Sequence, residues 1–191
     1  MSNFLRADET ISQTDYSGHV FGAGEFESCR FVDCDFQGAD LSEVIFLECE
    51  FEKCDLSNVA LKQTGFRDVT FKQCKMLGLR FDNCHTFLLE FRFEHCTLDL
   101  SSFYALKLQK TYFYQCQLHE VDFVEADLSE AKFVDSDLKG ALFERTNLQK
   151  ADLRSARNYK IDPDDNQIRK AKFSWPDVAV LLDKYDIAIS S

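Results

Sequence analysis

ADLSEAKFVDSDLKGALFERTNLQKADL, residues 126–153, repeats with a period of five. Leu128, Phe133, Leu138, Phe143, Leu148 and Leu153 recur at every fifth place, and two residues before each stands a small one: Ala126, Ala131, Ser136, Ala141, Thr146, Ala151. A helix repeats near 3.6 residues and a strand at 2, so neither carries this pattern. A coil does, if each five-residue unit makes one side of a square and two side chains per side point inward. Four sides make a turn of about 20 residues, stacked at the strand spacing of roughly 4.8 Å.

The column extends in both directions. From Tyr16 it runs through Phe21, Phe26, Phe31, Phe36, Leu41, Phe46, Phe51, Leu56, Leu61, Phe66, Phe71, Met76 and Phe81, fails at Thr86 and returns at Phe91. A second column starts at Phe93 and passes through Leu98, Phe103, Leu108, Phe113, Leu118 and Phe123 to Leu153. The phase therefore slips by two, and the sequence places the slip between Phe91 and Phe93, within a break near residues 84–93. Of the 19 phenylalanines only Phe4, Phe87 and Phe173 lie off these columns. From Leu98 onward Phe and Leu alternate, which predicts Phe on two opposite sides and Leu on the other two.

All eight cysteines, among them Cys29, Cys34, Cys54, Cys74, Cys96 and Cys116, occupy the small inner place. There a free thiol packs as a small hydrophobe. Zinc needs convergent thiolates at shorter spacing, so no metal and no cofactor is expected. Reduced, inert thiols are expected too. No phosphate-cradling glycine loop or nucleophile elbow is present, which points away from an enzyme. No run of about 18 apolar residues suits a membrane span, and the first residues lack a basic-then-apolar leader. A cytoplasmic protein is expected.

The motif A(D/N)LXX, carried outright by residues 126–130 (ADLSE) and 151–155 (ADLRS), resembles that of pentapeptide-repeat proteins. The resemblance covers residues 11–153 and implies an all-β fold, a right-handed quadrilateral parallel β-helix with a short C-terminal helical cap. Residues 1–10 are then a frayed lead-in and 154–191 a cap and dimerisation segment. FKQCKMLGLRF (71–81), the slip, and the tail RNYKIDPDDNQIRKAKFSWPDVAVLLDKYDI (157–187) resemble the gyrase-protecting branch, the Qnr-type quinolone-resistance and albicidin-resistance proteins. That resemblance implies a homodimer joined through its C-terminal segments and a DNA mimic toward DNA gyrase or topoisomerase IV. The alternative is an interaction scaffold with an unassigned partner. Ser174 is placed as the N-cap of a terminal helix. Trp175, Val178, Leu181, Leu182 and Tyr185 share a face, and with Ile187 and Ile189 they form the expected dimer interface.

The net charge is −11, which argues against direct nucleic-acid binding and allows a basic partner. Residues 20 apart should stack, and many such pairs have opposite signs, including Arg30/Glu50, Asp33/Lys53, Glu52/Lys72, Glu125/Arg145 and Glu130/Lys150. One column differs: Asp15, Asp35 and Asp55 stack like charges, which is unfavourable unless a partner uses them. Residues 25–55 hold ten acids against Arg30 and Lys53. The candidate partner-binding face is therefore Asp15, Asp35 and Asp55, surrounded by Glu25, Glu27, Asp40, Glu43, Glu48, Glu50 and Glu52, with the break at Phe91 and Phe93 as a second candidate.

Overall fold

The computed structural model describes residues 4–175 and 177–188. Its backbone winds as a four-sided parallel β-helix. On the first side, β1 (Phe4–Ala7), β3 (Gly24–Glu27), β5 (Val44–Leu47) and β7 (Gly65–Arg67) pair in that order. The second side stacks β2 (Thr10–Ser12), β4 (Arg30–Val32), β6 (Glu50–Glu52), β8 (Val69–Lys72), β9 (Phe91–Glu94), β10 (Tyr112–Tyr114) and β11 (Lys132–Val134). The third and fourth sides are held by single bridges, the third running Asp15–Asp35–Asp55–Lys75 and the fourth Val20–Asp40–Ala60. Away from one break, each step advances 20 residues, as from Phe31 to Phe51, so the period of five becomes one side of a turn.

The corners explain why ordinary residues can make this coil. Ser28, Asp33, Gly38, Glu43, Glu48 and Lys53, five apart, all have φ between 50° and 66°. A non-glycine residue there costs about 1–2 kcal/mol. Hydrogen bonds to the next turn offset it: Ser28 N–H donates to the Leu47 carbonyl at 2.8 Å and Asp33 N–H to that of Glu52 at 2.9 Å.

Inside, phenylalanine rings stack along the axis. On the second side the centroid spacings run 4.7 Å for Phe31–Phe51, 5.1 Å for Phe51–Phe71, 5.4 Å for Phe71–Phe93, 5.2 Å for Phe93–Phe113 and 5.0 Å for Phe113–Phe133. Phe81, Phe103, Phe123 and Phe143 do the same on the fourth side. In the C-terminal half, Phe thus occupies two opposite sides and Leu the others, as the alternation predicts. Offset stacking adds about 0.5–1.5 kcal/mol per pair to area burial.

The cysteines fill the inner place and are buried and free. Cys34, Cys54, Cys74, Cys96 and Cys116 form one column on the third side that crosses the break. Their thiols donate to carbonyls of the preceding turn, Cys54 to Phe31 at 3.5 Å and Cys74 to Phe51 at 3.4 Å. Ser136 continues the column and donates to the Phe113 carbonyl at 3.3 Å. Burial pushes the Cys49 thiol up to about 12 and moves Cys74, Cys84 and Cys116 in the same direction.

Three boundaries differ from expectation. The coil starts before Ile11, because β1 pairs with β3 and the ring of Phe4 lies 5.0 Å from that of Phe26. It continues beyond Leu153, through the bridges Asn147–Gln167 and Asp152–Lys172. The phase slip is not between Phe91 and Phe93, since both lie within β9, opposite Val69 and Phe71. Gly65 still bridges His85 at a step of 20, whereas Val69 pairs with Phe91 at a step of 22. The two extra residues therefore fall between His85 and Phe91. There Thr86 is turned outward, and Phe87 and Leu88 are 60% and 64% exposed. Phe91 thus holds the small inner place, the one Val69 holds a turn earlier. Its ring packs 5.4 Å from Phe66, 5.2 Å from Phe81 and 5.4 Å from Phe93, filling the space that Thr86 leaves.

The terminal helix is a 3-10 helix, Asp177–Tyr185. Ser174 hydrogen-bonds the Asp177 carboxylate at 2.7 Å, and its carbonyl accepts from Val178 N–H at 2.9 Å. Leu181 is buried, and Val178 and Val180 pack against the end of the core. The helix closes the coil.

Candidate functional site

The like-charged column exists as expected. Asp15, Asp35 and Asp55 bridge in consecutive turns on the third side before Lys75 ends the row, with the Lys75 ammonium 3.0 Å from Asp55. The structure also gives each aspartate a local task. One carboxylate oxygen accepts the backbone N–H two residues on: Ser17 at 2.8 Å, Gln37 at 2.8 Å and Ser57 at 2.9 Å. Asp40, Asp122 and Asp127 build the same turn on other sides. At Asn147 a neutral amide serves, accepting from Gln149 N–H at 3.2 Å. Such side-chain-to-backbone bonds are a general habit of Asp and Asn. The turn needs the oxygen and not the charge, so the negative column is a choice beyond what the turn requires. Hydrogen bonds from Ser17 hold the Asp15 carboxyl below the usual carboxylate range. At Asp55 burial pushes the carboxyl up, but the bonds from Ser57 and Lys75 outweigh it and the net direction is down.

The surrounding acids do not gather on that face. Glu25 and Glu27 lie on β3, on the first side, with Glu48 at the corner that follows that side in the next turn. Glu50 and Glu52 lie on β6, on the second side. Asp40 is on the fourth side and Glu43 at its corner. Every five residues the chain turns a corner, so acids close in sequence encircle the rod. Glu50 and Glu52 are also occupied: Arg30 reaches both, at 3.0 Å to Glu50, and Lys72 reaches Glu50. Glu125–Arg145 and Glu130–Lys150 pair across turns at 3.0 Å and 2.8 Å, as expected. Lys53 instead turns to Glu52 of its own turn, at 3.9 Å.

Phe91 and Phe93 are buried and cannot meet a partner. The exposed residues of the break are Phe87 and Leu88, with the Arg67 guanidinium 5.6 Å from the Phe87 ring centroid. Phe87 is one of the three phenylalanines that missed the columns, which was the sequence signal for an outward ring. At the C-terminal end, Leu181 serves the core, while Trp175 is 77% exposed and Leu182, Tyr185 and Ile187 also face outward. Ile189 lies outside the described residues.

One polar cleft, of about 500 Å³, opens on the third side around His119. The imidazole nitrogens face Asp99 at 3.7 Å and Asp137 at 3.5 Å. Both nitrogens thus face carboxylates. Among the described residues no group of His, Cys, Asp and Glu is arranged to hold a metal ion, and no helix is long and apolar enough to cross a membrane.

The family model for the pentapeptide repeat region matches residues 24–91, 44–123 and 87–160. No curated protein sequence matches the chain. Among solved structures, a trypsin-treated form of QnrB1, a plasmid-mediated fluoroquinolone resistance protein, aligns with a TM-score of 0.52 at 19% identity, over 99% of this chain and 100% of the other. HetL, a pentapeptide repeat protein involved in heterocyst differentiation regulation in the cyanobacterium Nostoc, aligns with a TM-score of 0.53 at 17% identity, over 90% and 87%. These likenesses are of fold. The chain belongs to the pentapeptide-repeat family.

Proposed function

We propose that this protein is a non-enzymatic, cytoplasmic binding protein that offers its acidic N-terminal half to the basic DNA-binding surface of DNA gyrase or topoisomerase IV, and so protects that enzyme from a quinolone- or albicidin-like poison. The observation that carries the reading is the Asp15–Asp35–Asp55 ladder, a row of like charges that turn geometry does not demand and that meets a lysine, Lys75, at Asp55. DNA presents one charge per roughly 1.7 Å of axis, and a row at about 4.8 Å imitates part of one edge. Its attraction to a basic saddle is long-range and falls with salt. The fold shared with QnrB1, a fluoroquinolone resistance protein, supports the same reading. The outward apolar set Trp175, Leu182, Tyr185 and Ile187 supports a two-fold dimer through the C-terminal end.

The test is gyrase supercoiling with a fluoroquinolone or albicidin, with and without the protein, at two salt concentrations. Rescue should fade with salt. Asp35→Asn with Asp55→Asn keeps both turn-forming oxygens and removes both charges, so it should fold and lose the rescue. Undiminished rescue would remove this face from the mechanism. One observation favours the scaffold reading instead: the exposed Phe87 and Leu88 suit an apolar, salt-insensitive contact.

A further inference from the structure

The C-terminal half is mixed in charge: residues 119–137 hold seven acids against Lys132, and the cations gather after them. Residues 139–172 hold nine Lys and Arg against five acids, the opposite of residues 25–55. Of these nine, Lys172 lies in the outward column of the second side and Lys150, Arg169 and Lys170 at or beside the corner before it, while Arg92 and Lys132 join that column from earlier turns. In that column, Arg92 pairs with Tyr112 and Tyr112 with Lys132 in ladder register. Lys132 bridges Asp152, which bridges Lys172. At the adjoining corner, Lys150, Arg169 and Lys170 border one shallow concavity, and all are exposed. The acids set among them pair with these same cations, Asp152 with Arg154 at 2.7 Å and Lys172 at 3.9 Å, Glu130 with Lys150 at 2.8 Å, and Glu94 with Arg92 at 3.8 Å, and Asp135 stands exposed at the following corner.

Aromatic rings are set into this basic face. Tyr112 and Tyr114, both on β10, lie with planes within 5° and centroids 6.1 Å apart. The Arg92 guanidinium sits 5.3 Å from the Tyr112 centroid, and His95 meets Tyr114 edge-on at 5.1 Å. Four ladder steps separate Arg92 from Lys172, roughly 19 Å at strand spacing. That length accommodates a few nucleotides of an extended strand. A row of cations beside parallel, half-exposed rings is the chemistry that binds single-stranded nucleic acid, phosphates on the bases Lys and Arg and nucleobases on the π faces. An acidic peptide would use the cations and leave the tyrosines idle.

We propose that the C-terminal half of the second side is a binding face for single-stranded nucleic acid, with Arg92, Lys132 and Lys172 on phosphates and Tyr112 and Tyr114 stacking bases. The whole-chain charge argues against nucleic acid; the cations gathered on this side, Lys132, Lys150, Arg169, Lys170 and Lys172, are a local exception. This face is separate from the aspartate ladder and does not depend on the topoisomerase reading.

Fluorescence anisotropy of the full-length protein with a labelled oligothymidylate tests it, with the same length of duplex and a polyglutamate peptide as comparators. Binding should fall in the range of about 1–100 µM. Three phosphate contacts at a slope of about −0.7 each give a loss of about twenty-fold between 50 and 200 mM salt. Tyr112→Ser with Tyr114→Ser should weaken single-strand binding by about thirty-fold or more, and Lys132→Glu with Lys172→Glu should flatten the salt dependence. Asp35→Asn with Asp55→Asn should leave it intact. Circular dichroism establishes that each variant is folded. No binding at about 100 µM protein would overturn the proposal. So would binding unchanged by the folded tyrosine pair, or polyglutamate bound as tightly as the oligonucleotide, which would make the face a site for acidic protein.

Discussion

Replacing Phe91 by valine restores the residue type that the inner place holds one turn earlier, at Val69, and should nonetheless be strongly destabilising. Phe91 is 4% exposed, and its ring is in contact range of Phe66, Phe81 and Phe93. It fills the space vacated where the two-residue insertion turns Thr86 outward. Valine has four fewer carbons. At about 0.8 kcal/mol per buried methylene the transfer loss is roughly 3 kcal/mol, and a cavity that rigid neighbouring turns cannot close keeps the total from falling below it. Urea unfolding with linear extrapolation measures the loss, and amide exchange should rise first in the turns around residues 66–103. Phe87→Ser, at a ring 60% exposed in the same loop, should stay within about 0.5 kcal/mol. A loss below about 1 kcal/mol for Phe91→Val, or an equal loss for Phe87→Ser, would refute the placement of the insertion and the role given to this ring.

Gly24→Ala should loosen the first turn, because a Cβ there would run into the Phe4 ring; exchange protection of β1 and β2 should drop while the C-terminal turns keep theirs. The buried thiols should resist an aromatic disulfide reagent in the native protein and all eight should react in denaturant; fast native labelling would contradict their burial. Below pH about 4 stability should decline, since Asp152, whose carboxyl the Arg154 guanidinium draws below the usual range, binds a proton more readily unfolded than folded. That contribution is present above the unfolded value and lost as pH falls through the folded one, so Asp152→Asn should flatten the acid limb of a melting curve. Ile187→Asp should shift the protein toward monomer in sedimentation if the outward C-terminal set joins two copies.

Much of the fold was legible because two of every five residues face inward and only a narrow range of sizes fits each place. The phenylalanine columns, the cysteines at the small place and the alternation of Phe and Leu sides follow from that constraint. The same constraint failed at Phe91–Phe93, where both inward places carry phenylalanine and pattern alone does not say which ring belongs to the column. The first turn was hidden for a related reason. Phe4 occupies the small place and Arg6 the large one, the reverse of the rule, with the Arg6 guanidinium 5.8 Å from the Phe26 ring. The candidate site was less legible. Ladder neighbours at a step of 20 could be paired on paper, and the aspartate row was found. The neighbouring acids were grouped by sequence proximity, which in this coil means adjacent sides. The turn-building bonds of Asp15, Asp35 and Asp55 depend on corner geometry that no periodicity displays.

A coil of equal five-residue sides has an angular alphabet as well as a length. Removing twenty residues would shorten the rod by one storey and leave every remaining face in line. Removing five would keep each side chain inward or outward as before, yet rotate everything downstream by a quarter turn, swinging the basic face from one compass direction to the next relative to the aspartate row. Two residues do neither, and here they are expelled as an outward loop with Phe91 plugging the gap. Lineages of such rods can therefore re-aim their surfaces in discrete quarter-turn steps without redesigning the interior.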